Sequence, residues 1–185
     1  MERSVVIAGF GGQGILFAGH VLADAAVEEG LEVFWIPSYG PEMRGGTASC
    51  TVIVADRVIG SPIVDQADAA VVLNPPSMAK FEPIVVPGGL LVVNRSLIEA
   101  EPARTDIEVA SVPCTALAKK AGDDRLVSVV ALGALIARRP IVPMEAIRTA
   151  IEAIVSKKRP EILEADLGAL QTGFEAALEA CAAAR

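Results

Sequence analysis

Histidine occurs once in these 185 residues, cysteine three times, and aromatic side chains make up 4% of the chain. A lone His20 excludes a multi-histidine metal site. It also leaves no Ser/His/Asp or Cys/His constellation for nucleophilic catalysis, and by itself it reads as a helix-face residue. Cys50, Cys114 and Cys181 stand far apart with no C-x-x-C. They are too few for an iron–sulfur cluster, which normally takes about four thiolates, and they suit a reducing cytoplasm. Positive charge is scarce as well: 16 Lys and Arg against 23 Asp and Glu, a net charge of −7. That balance speaks against nucleic acid and against an anionic membrane surface as partners. No apolar run approaches the ~20 residues of a spanning helix. The most apolar segment, 126–137, is shorter and contains Ser128. No signal-peptide pattern precedes the first strand, since Met1-Glu2-Arg3-Ser4 leads straight into it.

Apolar residues, by contrast, are abundant. They make up 52% of the chain, or about 60% with glycine counted and tyrosine left out, against roughly 45–50% for an ordinary soluble domain. A buried parallel sheet explains part of the excess, and a large subunit interface would explain the rest. The length fits one domain, residues 1–185, with a full core.

The most informative segment is Gly9-Phe10-Gly11-Gly12-Gln13-Gly14, directly after the apolar run Val5-Val6-Ile7-Ala8 and before a helical pattern over 15–29. Strand, glycine turn, helix is the opening of a nucleotide-binding α/β unit, in which free backbone N–H groups meet a phosphate. A tight turn that merely lets the helix pack on the strand is the alternative. A dinucleotide fold also wants an acid about 20 residues on. The second strand instead runs Val33-Phe34-Trp35-Ile36-Pro37-Ser38-Tyr39, with no acid at its tip. A free-standing NAD-dependent enzyme is therefore disfavoured.

Strands are expected at 4–8, 32–36, 48–55, 69–73, 89–93 and 107–112. Val58-Ile59 is expected as the short partner of 48–55 in a β-hairpin closed by Gly60-Ser61-Pro62. Helices are expected at 12–29, 78–81, 114–121, 126–138, 143–157 and 167–183, although the start of 126–138 could pass for a strand. This order predicts a three-layer α/β fold: a Rossmann-like, mostly parallel sheet with helices on both faces and a β-hairpin.

Two further segments leave strands at their carboxyl ends, where open α/β sheets bind ligands. The first, Pro37 to Gly46, contains Ser38, Tyr39, Arg44, Gly45 and Gly46. A guanidinium beside two glycines offers planar donors for a carboxylate or phosphate that can approach closely; a surface loop with one solvated Arg is the alternative. The second is Asn74-Pro75-Pro76-Ser77, a source of neutral hydrogen bonds or simply a cap for the following helix. The runs Glu28-Glu29, Asp123-Asp124 and Lys157-Lys158-Arg159 read as solvated faces. No catalytic residue and no metal site emerges, so the chain reads as a binding and assembly part.

Three blocks taken together carry a resemblance: Gly9 to Gly14; Ser38-Tyr39-Gly40-Pro41-Glu42-Met43-Arg44-Gly45-Gly46-Thr47-Ala48-Ser49-Cys50; and Asn74-Pro75-Pro76-Ser77 with Lys80-Phe81. The chain resembles, over about residues 3–180, the gamma subunit of the 2-oxoacid:ferredoxin oxidoreductases. The middle block looks most like the 2-oxoglutarate and branched-chain 2-oxoacid members. The resemblance implies oxidative decarboxylation of a 2-oxoacid to an acyl-CoA, with electrons passed to ferredoxin. It places thiamine diphosphate, magnesium and iron–sulfur clusters on alpha, beta and delta-type partner subunits, and coenzyme A at the interface. This chain would hold no cofactor alone. Gly11, Gly12, Gln13, Gly14, Ser38, Tyr39, Arg44, Gly45, Gly46 and Asn74 are the cofactor-facing candidates. The chain departs from the family near Ser128 and near Asp166, where members often carry Asn, and at Pro76, where Gln is common. A purely structural docking subunit, an indolepyruvate-type subunit, and a homodimer of the isolated chain stay open.

Overall fold

The computed structural model describes residues 1–39, 47–158 and 160–183. Its strands are β1 (Glu2–Phe10), β2 (Glu32–Tyr39), β3 (Thr47–Ala55), β4 (Ala67–Val72), β5 (Val85–Asn94) and β6 (Glu108–Val112). The helices are α1 (Ile15–Glu28), α2 (Pro75–Phe81), α3 (Cys114–Lys120), α4 (Val127–Arg138), α5 (Met144–Lys158) and α6 (Leu163–Ala183). The strands form one mixed sheet in the order β2-β3-β1-β4-β5-β6. β1, β4, β5 and β6 run parallel, while β3 is antiparallel to both of its neighbours.

The α/β class, the mostly parallel sheet and the helices on both faces match the sequence reading. The hairpin has a different partner. Val58-Ile59 forms no strand: β3 pairs with β2 through Glu32↔Ala55 to Tyr39↔Ala48, and with β1 through Glu2↔Ala55 to Phe10↔Thr47. Both hydrogen-bonding edges of β3 are thus occupied, and nothing remains for a third strand. Ile59 instead turns inward onto Ile53 and Ala55, while Val58 points to solvent. The local turn signal at Asp56-Arg57 could not reveal that β1, far away in sequence, takes that edge.

β1 is buried without alternation from Ser4 to Gly9, the pattern of a strand covered on both faces. The covering is unequal. On one face α1, α3, α4, α5 and α6 pack on Val5, Ile7, Val52, Val71 and Val92 in the main core. On the other, α2 sets Met78 on Ala70, Val72, Leu91 and Val93, and Phe81 lies against Val6 and Ala8. That second layer stops short of the β2 edge, where Phe34 is 41% exposed; Val58 and Ile63 on the following loop are also exposed.

The segment 126–138 resolves as helix. Every residue from Val127 to Ile136 is buried, as expected of a helix apolar all round and enclosed on every side. Its fit against α6 depends on two glycines. A Cβ at Gly133 would collide with the Leu170 carbonyl, and one at Gly173 with the Val130 carbonyl. Among the described residues, no helix is long and apolar enough to cross a membrane.

Candidate functional site

The crest of the sheet holds a topological switch. β1 and β4 are parallel neighbours. The helix after β1 packs on one face and the helix after β4 on the other. A crevice opens at such a point, beyond the carboxyl ends of the two strands.

The glycine turn forms one wall. The Gln13 N–H donates to the Phe10 carbonyl at 3.2 Å, and the Gln13 Oε1 accepts from the Phe10 N–H at 2.6 Å. The side chain therefore folds back and braces the turn. Gly14 begins α1 with φ 78°, a left-handed conformation, and offers no side-chain cap. Glycine is required there twice over: a Cβ would stand 2.5 Å from Ser128 Oγ and 3.2 Å from the Arg125 carbonyl. The amides of Gly11 and Gly12 find no acceptor among the described residues. Together with the uncapped start of a 14-residue helix, they make this wall favourable to negative charge.

Asn74 forms the facing wall. Its Oδ1 accepts from the Ser77 N–H at 2.8 Å and so caps α2. Its Nδ2 is fully buried and has no partner among the described residues.

A cleft of about 230 Å³ lies beside this crest, between α2 and the start of β3. Ser38, Thr47 and Ser49 line it from the strands, and Ser77, Lys80 and Phe81 from α2. Register explains the meeting: Ser38 pairs with Ser49, which pairs with Ala8, so all three share one row across the sheet. The Lys80 Nζ rests 4.9 Å from the centroid of the Phe81 ring.

Of the residues singled out from sequence, the structure brings Gly11, Gly12, Gln13, Gly14 and Asn74 to the crest and Ser38 to the adjoining cleft. Tyr39 ends β2 opposite Ala48. Arg44, Gly45 and Gly46 lie outside the described residues, though Thr47, which follows them, pairs with Phe10 beside the glycine turn. Sequence reasoning left Thr47, Ser49, Ser77 and Lys80 out of the candidate set. A signal for the last two existed, because residues three apart on a helix share a face.

A second buried polar group sits behind the glycine turn. Ser128 Oγ and Asp166 Oδ2 are both buried and without partners among the described residues. Burial, followed by the nearby Asp123 carboxylate, pushes the Asp166 carboxyl up to about 6, while Arg125 pulls the other way. The resemblance placed Asn near both of these positions. Burial likewise pushes the Cys50 and Cys114 thiols up to about 12, so neither is a thiolate nucleophile near neutral pH. His20 stacks on Trp35 with ring centroids 5.5 Å apart and has Asp24 3.3 Å away.

The profile of the family described as pyruvate ferredoxin/flavodoxin oxidoreductase matches residues 4–176. The chain belongs to the pyruvate ferredoxin/flavodoxin oxidoreductase family. Among its relatives is a ketoisovalerate oxidoreductase subunit VorA of Methanothermobacter thermautotrophicus, 38% identical over 96% of this chain; the match spans only 37% of that relative's length. The 2-oxoglutarate synthase subunit KorC of the same organism is 34% identical, with 97% of each chain covered. A solved keto/oxoacid ferredoxin oxidoreductase gamma subunit from Geobacter sulfurreducens superposes with a TM-score of 0.82 at 31% identity, covering 96% of this chain and 99% of its own. The oxidoreductase family fold, with its mixed six-stranded sheet and helices on both faces, is thus the one observed here.

Proposed function

We propose that this chain is the gamma-type subunit of a 2-oxoacid:ferredoxin oxidoreductase, and that its crest forms part of the coenzyme A wall of the assembled enzyme. Thiamine diphosphate, magnesium and the iron–sulfur clusters sit on alpha, beta and delta-type partners, and ferredoxin meets the complex rather than this chain. The observation that carries the reading is the pairing of free turn amides with a hydroxyl-lined cleft at one end of the sheet. Such a rim can hold and orient an anionic cofactor but offers no nucleophile with a base. The cytoplasm is the compartment for such an assembly.

Within this reading Arg44, Gly45, Gly46 and Tyr39 complete the rim that Gly11, Gly12, Gln13, Gly14, Ser38 and Asn74 begin. In the reconstituted complex, Arg44→Ala is expected to raise KM for coenzyme A while assembly stays intact. An unchanged KM with intact assembly would remove Arg44 from the role.

The exposed Phe34, Val58 and Ile63 favour a second reading, a chain whose main task is docking. Replacing them with serine would then release the partners while leaving the ligand chemistry of the crest unchanged.

A further inference from the structure

We propose that the cleft between α2 and the β2–β3 strands is an oxyanion seat for a phosphate group, with Lys80 as its charged donor and the hydroxyls of Ser38, Thr47, Ser49 and Ser77 as neutral donors. The proposal rests on the coenzyme A reading above only for the source of the phosphate; the seat itself stands on geometry.

Four hydroxyls border one cleft, and no described residue uses any of them. No hydrogen bond to Ser38, Thr47, Ser49 or Ser77 Oγ or Oγ1 exists among the described residues, where Ser77 engages Asn74 through its backbone N–H alone. Ser77 is the telling member, because it is only 2% exposed and still spends its hydroxyl on nothing inside the chain. That hydroxyl borders the cleft and is free to donate to a ligand seated there. Lys80 points the same way. In a chain of net charge −7 it forms no ion pair among the described residues, and its ammonium is parked over Phe81 at the cleft. Among the described residues, no carboxylate lines the cleft to repel an anion.

Size narrows the occupant. At about 230 Å³ the cleft lies below the roughly 300–1,000 Å³ of sites that enclose a whole drug-sized ligand. It can seat one compact group of a longer molecule. Four hydroxyl donors and an ammonium point charge suit a tetrahedral dianion, whose oxygens accept from several directions, better than a planar carboxylate, which matches a guanidinium fork.

The first test titrates inorganic phosphate into the full chain, with chloride at matched ionic strength as control, and follows backbone amide shifts. Saturable shifts at Ser49, Ser77 and Lys80 that vanish in Lys80→Gln are expected. Ser77→Ala guards against a folding artefact, since that hydroxyl supports nothing in the chain, and it is expected to weaken the same titration. Absence of saturable shifts, or shifts unchanged in both variants, overturns the seat.

The second test measures KM in the reconstituted complex. Lys80→Gln is expected to raise KM for coenzyme A roughly ten- to 150-fold, the scale of one lost charge-assisted hydrogen bond. A rise for coenzyme A but not for dephospho-coenzyme A assigns the seat to the 3′-phosphate, and a rise for both assigns it to the diphosphate. A rise for the 2-oxoacid instead makes the cleft a carboxylate site in the enzyme and overturns the phosphate assignment. No change in any KM overturns a role for the seat in the enzyme.

Discussion

Replacing Asp166 with Asn should make the protein more stable at neutral pH and leave it nearly unchanged in acid. Asp166 sits in the first turn of α6, 4% exposed, with one carboxyl oxygen lacking a partner. Its pKa is raised to about 6 by burial and by Asp123, against roughly 3.9 in an unfolded chain. The folded state therefore holds the proton more tightly than the unfolded state. The penalty is absent below about pH 4, grows as pH rises from 4 to 6, and is complete above 6. Two units at about 1.4 kcal/mol each set a ceiling near 3 kcal/mol, and water reaching the carboxylate brings the expectation to roughly 1–3 kcal/mol. Asparagine keeps the shape, removes the charge and abolishes the penalty. Urea unfolding followed by the single tryptophan, Trp35, reads the effect, with buffers chosen on either side of the isoelectric point near 4.8. With a slope of about 2 kcal/mol per molar urea, the midpoint should rise by roughly 0.5–1.5 M at pH 7.5 and by little at pH 4. Equal shifts at the two pH values, or a less stable variant at pH 7.5, would refute the argument by showing that the ionised carboxylate has a favourable partner.

Other outcomes follow from the same structure. Gly14→Ala forces a Cβ into a left-handed residue and against Ser128 Oγ, and should cost about 1–3 kcal/mol in denaturant unfolding. Gly133→Val drives a side chain into the Leu170 carbonyl and should cost about 3 kcal/mol or more, read as a lowered Tm, because two helix backbones must separate. Native-state iodoacetamide labelling followed by mass spectrometry should modify Cys181 well before Cys50 or Cys114, whose thiols are buried and pushed up to about 12. Serine at Val58 and Ile63, both exposed, should leave Tm nearly unchanged; a fall of several degrees would mean that these side chains support the fold rather than a partner.

Much of the fold was legible because its signals are local. Apolar runs such as Ala69 to Leu73, the Gly30 that ends α1, and the glycine turn after β1 depend on neighbours a few residues away. The glycine turn was correctly read as the link between a strand and a helix. Gln13 was read as a ligand contact, but the structure also shows it bracing its own turn through Phe10. Asn74 caps α2, one of the two roles open to it from sequence, and its orphaned Nδ2 keeps the other in play. The misplaced hairpin has a single cause. Asp56-Arg57 carries a turn signal, but strand pairing is decided by which edges are free, and the free edge of β3 was taken by β1 from the start of the chain.

Sequence alone determined most of the elements, the acidic balance of charge, the scarcity of histidine and, through motif resemblance, the family. These depend on residue types and short spacings, which a linear string preserves. Only the tertiary structure decided that β3 lies between β1 and β2, that Ser38, Ser49, Ser77 and Lys80 border one cleft, and that Ser128 and Asp166 sit buried behind the glycine turn. Each of those facts joins residues tens of positions apart. Their meeting follows from sheet order and register, which arise from the packing of the whole chain and are written in no single segment.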